Sequence, residues 1–87
     1  MATPNIVPRA DSEGGLGTAA KYWGSAYIDT ITTTSHINLP DSAKLRVGTG
    51  NDMSIYHNGT STYFENDTGD IVISNRQNDG DIIFSSD

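Results

Sequence analysis

The sequence predicts an all-β chain of short strands arranged as a meander, and two observations carry this prediction. First, three stretches near the end repeat one pattern, which is a turn residue, an acid, a short β-branched or aromatic run and then polar residues: Gly50–Tyr56, Gly69–Asn75 and Gly80–Ser86. Second, Leu, Ile, Val and Phe form only about one fifth of the chain. Because strands with so thin a core cannot bury themselves, we expect copies of the chain to cover one another.

The length and composition leave two possibilities open. With 87 residues, the chain has room for at most one domain of marginal stability as a monomer. Low apolar content together with net charge is also typical of disordered chains. The strand patterning favours the other possibility, in which apolar strand faces are buried against other chains.

The first half of the chain predicts little regular structure. Pro4 and Pro8 remove backbone donors and oppose a helix, so an extended arm is expected at the N-terminus. A short helical turn is plausible over 19–26, and the β-branched and aromatic stretch 26–33 predicts a strand. Another short extended piece, 36–39, ends before Pro40. We divide the chain into an N-terminal attachment arm, a Trp/Tyr turn and short-strand segment, and a β-meander, which span residues 1–15, 16–40 and 41–87.

The second half predicts five strands joined by tight turns. Asn58-Gly59 is the strongest local signal, because two residues that tolerate positive φ between alternating runs favour a type I′ hairpin turn. The other connections are Gly48–Gly50, Asp67–Gly69 and Asn78–Gly80. The candidate strands are Lys44–Val47, Asp52–His57, Ser61–Glu65, Ile71–Ser74 and Asp81–Ser85.

Alternation along these strands predicts one apolar face and one wet face. Val72 and Ile83 break the polar pattern of the wet face, which suits residues of an interface between chains. The first half of the chain offers too few apolar residues to build a second sheet over the apolar face. That face contains Leu45, Val47, Met53, Ile55, Phe64, Ile71, Ile73, Ile82 and Phe84.

Charge and residue usage exclude several function classes. The net charge of −6 and the scattered basic residues argue against nucleic acid and anionic membranes as partners. Without cysteine there is no disulfide framework, thiolate metal site or thiol nucleophile. No apolar run is long enough to insert into a membrane, and the first ten residues do not resemble a signal peptide.

Two segments resemble tail fibres of tailed bacteriophages. The first is Leu16 to Asp29, which has a Leu-Gly-Thr start followed by Trp23 and Tyr27. The second runs from Lys44 through Gly59 and resembles the pattern Leu-Arg-Phe-Gly, then Asp-Leu-x-Ile-Tyr-His-Asp-Gly, of fibres from phages of marine bacteria or cyanobacteria. Val47 and Asn58 are conservative departures from that pattern. With the strands that follow, the resemblance covers residues 16–86.

The resemblance implies an elongated, intertwined homotrimeric fibre located in the virion. Its partners would be two identical chains and a tail, adaptor or baseplate protein, and a distal part of such a fibre would contact host surface glycans. Because such fibres are typically several hundred residues long, we expect this chain to be the N-terminal piece of a longer fibre or a short appendage. The arm is expected to attach through Asn5, Ile6, Val7, Pro8 and Arg9, by extended backbone pairing. The expected trimer interface contains Leu16, Trp23, Tyr27, Ile28, Ile55, Phe64, Ile71, Ile73, Ile82 and Phe84.

No motif predicts catalysis, a cofactor or a metal. Asp67-Thr68-Gly69 matches the aspartic-protease triplet, but polar residues precede it and too little chain follows, so it is interpreted as a turn. The acids of 67–70 and 78–81 lack the full spacing of a calcium loop. His36 and His57 have no patterned ligand set, and on a strand Ser35 and His36 would point to opposite faces. In three aligned copies, however, His57 could line the axis.

Alternatives remain both for the aromatic cluster and for the function of the whole chain. The Trp23 and Tyr27 cluster could pin a local turn, pack against a sister chain or offer a platform for a sugar. For the whole chain, the main alternative is a carbohydrate-binding module at a fibre tip, although the short loops favour the structural role. A small hydrolase using Asp67 is the other alternative.

Overall fold

A small antiparallel sheet is the main regular element of the molecule. In the computed structural model, which describes residues 3–87, strands β1 (Leu45–Val47), β2 (Met53–His57) and β3 (Thr62–Asn66) lie in the order β1-β2-β3. Both pairs are antiparallel. The predicted all-β class is confirmed, and so is the meander order of these three strands. None of the described residues belongs to a helix that could cross a membrane.

The chain divides into two units, Met1–Thr34 and Ser35–Asp87. In the first unit, Thr18 and Lys21 exchange backbone hydrogen bonds of 2.8 and 3.2 Å, which closes a tight turn where a helical turn was predicted. The strand predicted over 26–33 is also wrong, because no neighbouring segment pairs with it and an extended segment becomes a strand only with a hydrogen-bonded partner. Met1 and Ala2 of the predicted arm lie outside the described residues.

The β1–β2 connection depends on two unusual backbone conformations. Gly48 has φ of 100° and Asn51 has φ of 56°. The Asn51 N–H donates to the Gly48 carbonyl at 3.1 Å, which closes the turn. The two strands then pair with Leu45 opposite Ile55 and Val47 opposite Met53. The turn predicted at Gly48–Gly50 is therefore confirmed.

The β2–β3 hairpin forms with a different turn from the one predicted. His57 pairs with Thr62, so four residues, 58–61, connect the strands instead of two. Among the four loop residues 58–61, only Gly59 has a positive φ, which is 96°, whereas a type I′ turn requires two residues with positive φ. The Asn58 side chain accepts hydrogen bonds from the backbone N–H groups of Thr60 and Ser61, both at 2.9 Å. This side-chain bonding favours the longer loop.

The two last predicted strands are absent from the described chain. The turn between them does form, since Gly80 N–H donates to the Gln77 carbonyl at 3.1 Å and Asp79 has φ of 63°. The flanking segments 71–74 and 81–85 nevertheless make no ladder. Tight turns specify only where a chain reverses, and two polar-flanked runs of three apolar residues give a single chain little to gain from pairing.

No hydrophobic residue is buried among residues 3–87. The only buried residue is Ser54, which is 8% exposed at the centre of the sheet. Phe84 is 84% exposed and Ile73 60%. The thin core expected from the composition is therefore confirmed, and one copy of the chain leaves its apolar side chains largely in water.

Candidate functional site

The three-stranded sheet has one wet face that carries an aromatic pair. Tyr56 and Tyr63 lie opposite each other on β2 and β3, with ring centroids 5.1 Å apart and planes inclined by 16°. Lys44 Nζ lies 4.6 Å from the centre of the Tyr56 ring, within range of a cation–π contact. These contacts order the wet face, on which Ser54 is buried while Tyr63 stays exposed.

Glu65 completes this cluster. A side-chain hydrogen bond to Glu65 is the main reason why the pKa of Tyr56 is raised above its ordinary value, and partial desolvation and the Glu65 charge add to the effect. Glu65 pairs with Ser54, one row along the ladder from Tyr56 and Tyr63. The carboxylate therefore lies at the outer strand of the sheet, on the same face as the aromatic pair.

The opposite face is apolar, as alternation predicted. The register aligns Leu45, Ile55 and Phe64 in one row, and Val47 and Met53 in the next. Half or more of the side-chain surface of Leu45, Val47 and Phe64 remains exposed. The prediction of the face was correct although the hairpin loop is two residues longer, because an even shift in register leaves every side chain on its original face.

A segment after β3 lines part of this apolar face. Asp70 and the residues that follow it border a cavity of about 150 Å³. Its lining residues are Met53, Phe64, Asn66, Asp70, Ile71, Val72 and Ile73. Ile71 and Ile73 thus lie near Phe64 within one chain, whereas Ile82 and Phe84 do not line this cavity. The trimer interface predicted for these residues stays a prediction.

Asp52, which directly precedes β2, is hydrogen-bonded to the bend that follows β3. The Thr68 hydroxyl donates to Asp52 Oδ1 at 3.0 Å, and Asp67 N–H donates to the Asp52 carbonyl at 2.7 Å. A side chain at Gly48 would place its Cβ 2.5 Å from Asp52 Oδ2, so glycine is required there for space as well as for its φ. Asp67-Thr68-Gly69 lies in the bend after β3. Its Thr68 hydroxyl is the group that donates to the Asp52 carboxylate, so the triplet takes part in a structural contact.

The two histidines occupy different local settings. His57 Nδ1 lies 2.9 Å from the Thr62 hydroxyl across the hairpin, and alternation places it on the same face as Ile55. His36 Nδ1 contacts the Ser35 hydroxyl. The expectation that Ser35 and His36 point apart is wrong, because this segment bends and does not form a strand. Within residues 3–87, no group of three His or acidic side chains is placed to hold a metal ion.

The turn at 75–81 is closed by the Asn75 side chain. Its Nδ2 donates to the Asp81 carbonyl at 2.8 Å, and its Oδ1 accepts from Gln77 N–H at 3.0 Å. Asn75 thus uses both ends of its amide to fix the loop. Asn75 was not predicted to have a role, although an Asn side chain that can accept from the backbone N–H two residues on is a recognisable signal of an Asx turn.

The predicted attachment segment carries its own ion pair. Arg9 Nε and Nη2 donate to the two carboxylate oxygens of Glu13 at 2.9 and 2.7 Å, and this hydrogen bonding raises the pKa of Arg9. The pair is solvent exposed. Ile6, Val7 and Pro8 line an open cavity of about 520 Å³ with residues 13–16. The loop around Arg9 is therefore closed on itself by a two-point contact.

The expected aromatic cluster forms only in part. Gly17, Lys21, Tyr22 and Trp23 line a cavity of about 250 Å³. A Cβ built on Gly17 would lie 3.5 Å from the Trp23 ring, so Trp23 packs against the turn at Gly17. Tyr27, in contrast, is 98% exposed. The turn-pinning role predicted for the cluster thus falls to Trp23, and Tyr27 stands apart from this packing.

Comparison with known proteins does not assign the chain to a family. No family model matches it, and neither a curated protein nor a solved structure is detectably similar. The resemblance of residues 16–86 to phage tail fibres accordingly stays an expectation based on residues.

Proposed function

We propose that this chain is a structural segment of a bacteriophage tail fibre that works as a homotrimer and catalyses no reaction. Residues 5–9 would attach the fibre to a tail, adaptor or baseplate protein, and the sheet would begin the shaft. One observation carries the proposal: the sheet has an apolar face that a single copy covers only in part, with half or more of Leu45, Val47 and Phe64 exposed.

The uncovered face supports self-association more strongly than any other partner. Apolar surface that is exposed and contiguous usually marks an interaction site, and the hydrophobic effect favours covering it. A second and third copy supply an equivalent apolar face without requiring any further sequence. A shaft made in this way would need no buried core within each chain.

The mass of the chain in solution tests the oligomeric state. Light scattering should give three times the 9.3 kDa of one chain. Phe64→Asp places a charge in the apolar row and should shift the mass toward one chain, because a carboxylate is costly to bury. Thr49→Asp adds the same charge in the exposed β1–β2 loop and serves as the matched control, which should keep the trimer. A wild-type chain that stays monomeric and folded would contradict the proposal.

The virion location needs a separate experiment. An antibody raised against this chain should label the tail region of phage particles from the source of the sequence, as seen by electron microscopy. Labelling of the capsid alone, or of no particle, would contradict the assignment to a tail fibre. The result does not depend on the oligomeric state.

The wet face favours a second candidate, a carbohydrate-binding module at a fibre tip. The Tyr56–Tyr63 pair offers aromatic surface, with Tyr63 37% exposed, beside the charged groups of Lys44 and Glu65. Binding on a glycan array that is lost in Tyr63→Ala, with the exposed Ile37→Ala as the control, would support this function. Absence of binding across the array would leave the structural role as the better proposal.

A further inference from the structure

The hydrogen-bond pattern of the sheet identifies which backbone groups face outward at its two edges. Asp67 N–H donates to the Asp52 carbonyl and Asn58 N–H donates to the Ser61 carbonyl, so the even-numbered residues of β2 bond toward β3. Because antiparallel strands alternate between bonded and non-bonded pairs, Tyr63 and Glu65 bond toward β2. The N–H and C=O groups of Thr62, Phe64 and Asn66 therefore point away from the sheet.

The same alternation applies to β1. Odd-numbered residues of β2 bond toward β1, as the 2.7 Å bond from Ser42 N–H to the His57 carbonyl indicates. Leu45 and Val47 consequently face β2, and the backbone groups of Lys44 and Arg46 point outward. Over the described part of the chain, none of these outward groups on either strand has a hydrogen-bond partner within the chain. Both edges are thus open to pairing.

The two open edges carry opposite charges on the same face of the sheet. The β1 edge presents Arg46, with Lys44 directly before the strand, and β3 presents Glu65. Lys44 already lies over the Tyr56 ring, whereas Arg46 makes no ion pair with any residue in the range 3–87. Glu65 is exposed at the outer strand. The β1 edge and the β3 edge are therefore complementary in charge to each other, whereas two copies of the same edge carry like charges.

We propose that the β3 edge of one copy pairs with the β1 edge of a second copy, which places Glu65 beside Arg46 or Lys44 of its neighbour and closes a ring of three chains. This inference rests on the proposed trimer and names the surface that would build it. The contact is head-to-tail, so each copy uses both edges once. Since β1 and β3 run in the same direction within a chain, the new pair is parallel in such a ring.

Pairing of like edges is less favourable. Two β1 edges would bring Lys44 and Arg46 of both copies together, and like charges on neighbouring strands are destabilising. Two β3 edges would leave both β1 edges unpaired. The head-to-tail arrangement also continues the apolar face, because rows that contain Leu45 and Phe64 become neighbours across the junction.

Disulfide trapping tests the pairing directly, since the chain has no cysteine of its own. The double variant Arg46→Cys with Glu65→Cys, and the alternative register Lys44→Cys with Glu65→Cys, should cross-link under mild oxidation. Within one chain these positions are separated by β2, which puts strands β1 and β3 roughly 9–10 Å apart. That exceeds the Cα separation of about 4.4–6.8 Å that a disulfide allows, so a bridge must join two copies.

The single-cysteine variants are the matched controls. If the edges pair head-to-tail, Arg46→Cys or Glu65→Cys alone stays uncross-linked, and one double variant gives a main product of three chains on a non-reducing denaturing gel. Strong dimers from Glu65→Cys alone, or ladders beyond three chains, would overturn the ring. A trimer by light scattering without any cross-link in either double variant would overturn this inference and leave the proposed function standing. A monomer would overturn both.

Discussion

At the scale of single residues, the protonation of Tyr56 is expected to make the stability of the folded chain depend on pH. Hydrogen bonding to Glu65 is the largest cause that raises its pKa above 10.0. The folded chain therefore holds the phenol proton more tightly than the unfolded chain does. This contribution to stability is fully present below about pH 10, the unfolded value, and is lost as pH rises through the raised pKa. We expect alkaline titration by tyrosinate absorbance to show a late step that Tyr56→Phe removes.

Glu65→Gln provides the complementary variant. It keeps the size of the side chain and removes the charge, so the late step should move toward the ordinary tyrosine value. Asp11→Asn removes one carboxylate in the other unit of the chain and should leave that step unchanged. A late step that survives in Glu65→Gln would show that Glu65 is not its cause.

At the scale of the elements, the 58–61 loop depends on one side chain. Asn58 Oδ1 accepts from two backbone N–H groups that would otherwise have no partner within the described chain. Asn58→Ala removes both hydrogen bonds and should destabilise the hairpin by about 1 kcal/mol. The loss is no larger because the exposed N–H groups then bond to water. The amides of Tyr56 and Tyr63 should then exchange with deuterium about fivefold faster.

Asn38→Ala is the matched control for the loop. Asn38 is exposed, and its side chain makes no hydrogen bond with the other described residues. Exchange at Tyr56 and Tyr63 should be unchanged in this variant. Equal acceleration in both variants would mean that the Asn58 side chain does not hold the loop.

The elements differ in how far the sequence predicts them. β1 and β2 follow from alternation, since each has apolar residues at every second position, and β3 adds Phe64 to the same face after a short turn brings it alongside. The segments 71–74 and 81–85 each contain a run of three apolar residues and have a turn between them, yet they form no ladder. Periodicity records which residues suit a strand, but pairing depends on what else covers the apolar face.

The site was predictable in its faces and less so in its contacts. Alternation placed Ile55 and Phe64 on one side correctly. The Tyr56–Tyr63 stack was missed, because the predicted two-residue turn would have set Tyr56 opposite Ser61. Arg9 was expected to meet an external partner, whereas its pairing with Glu13 depends on a local fold of the arm that proline content alone does not specify.

At the scale of the whole molecule, exposure of apolar residues must be reconciled with a stable fold. A sheet of three short strands with one uncovered face is marginal in water. The net charge of −6 on each chain opposes close approach of copies. In the proposed trimer, association would be favourable only where apolar contact and edge pairing together outweigh that repulsion, which would tie the stability of each chain to the presence of its neighbours.

If the proposed trimer forms, thermal stability should depend on protein concentration. When folding and association are coupled, mass action raises the Tm as concentration rises, whereas the Tm of a monomer stays constant. A hundredfold increase in concentration should raise the Tm of the wild-type chain by several degrees, as followed by far-ultraviolet circular dichroism. Phe64→Asp should lower the Tm and flatten its dependence on concentration, and Thr49→Asp should behave as the wild type does. A wild-type Tm that is constant across this range would mean that the uncovered sheet is stable alone, and the apolar face would then have to serve a partner other than a second copy.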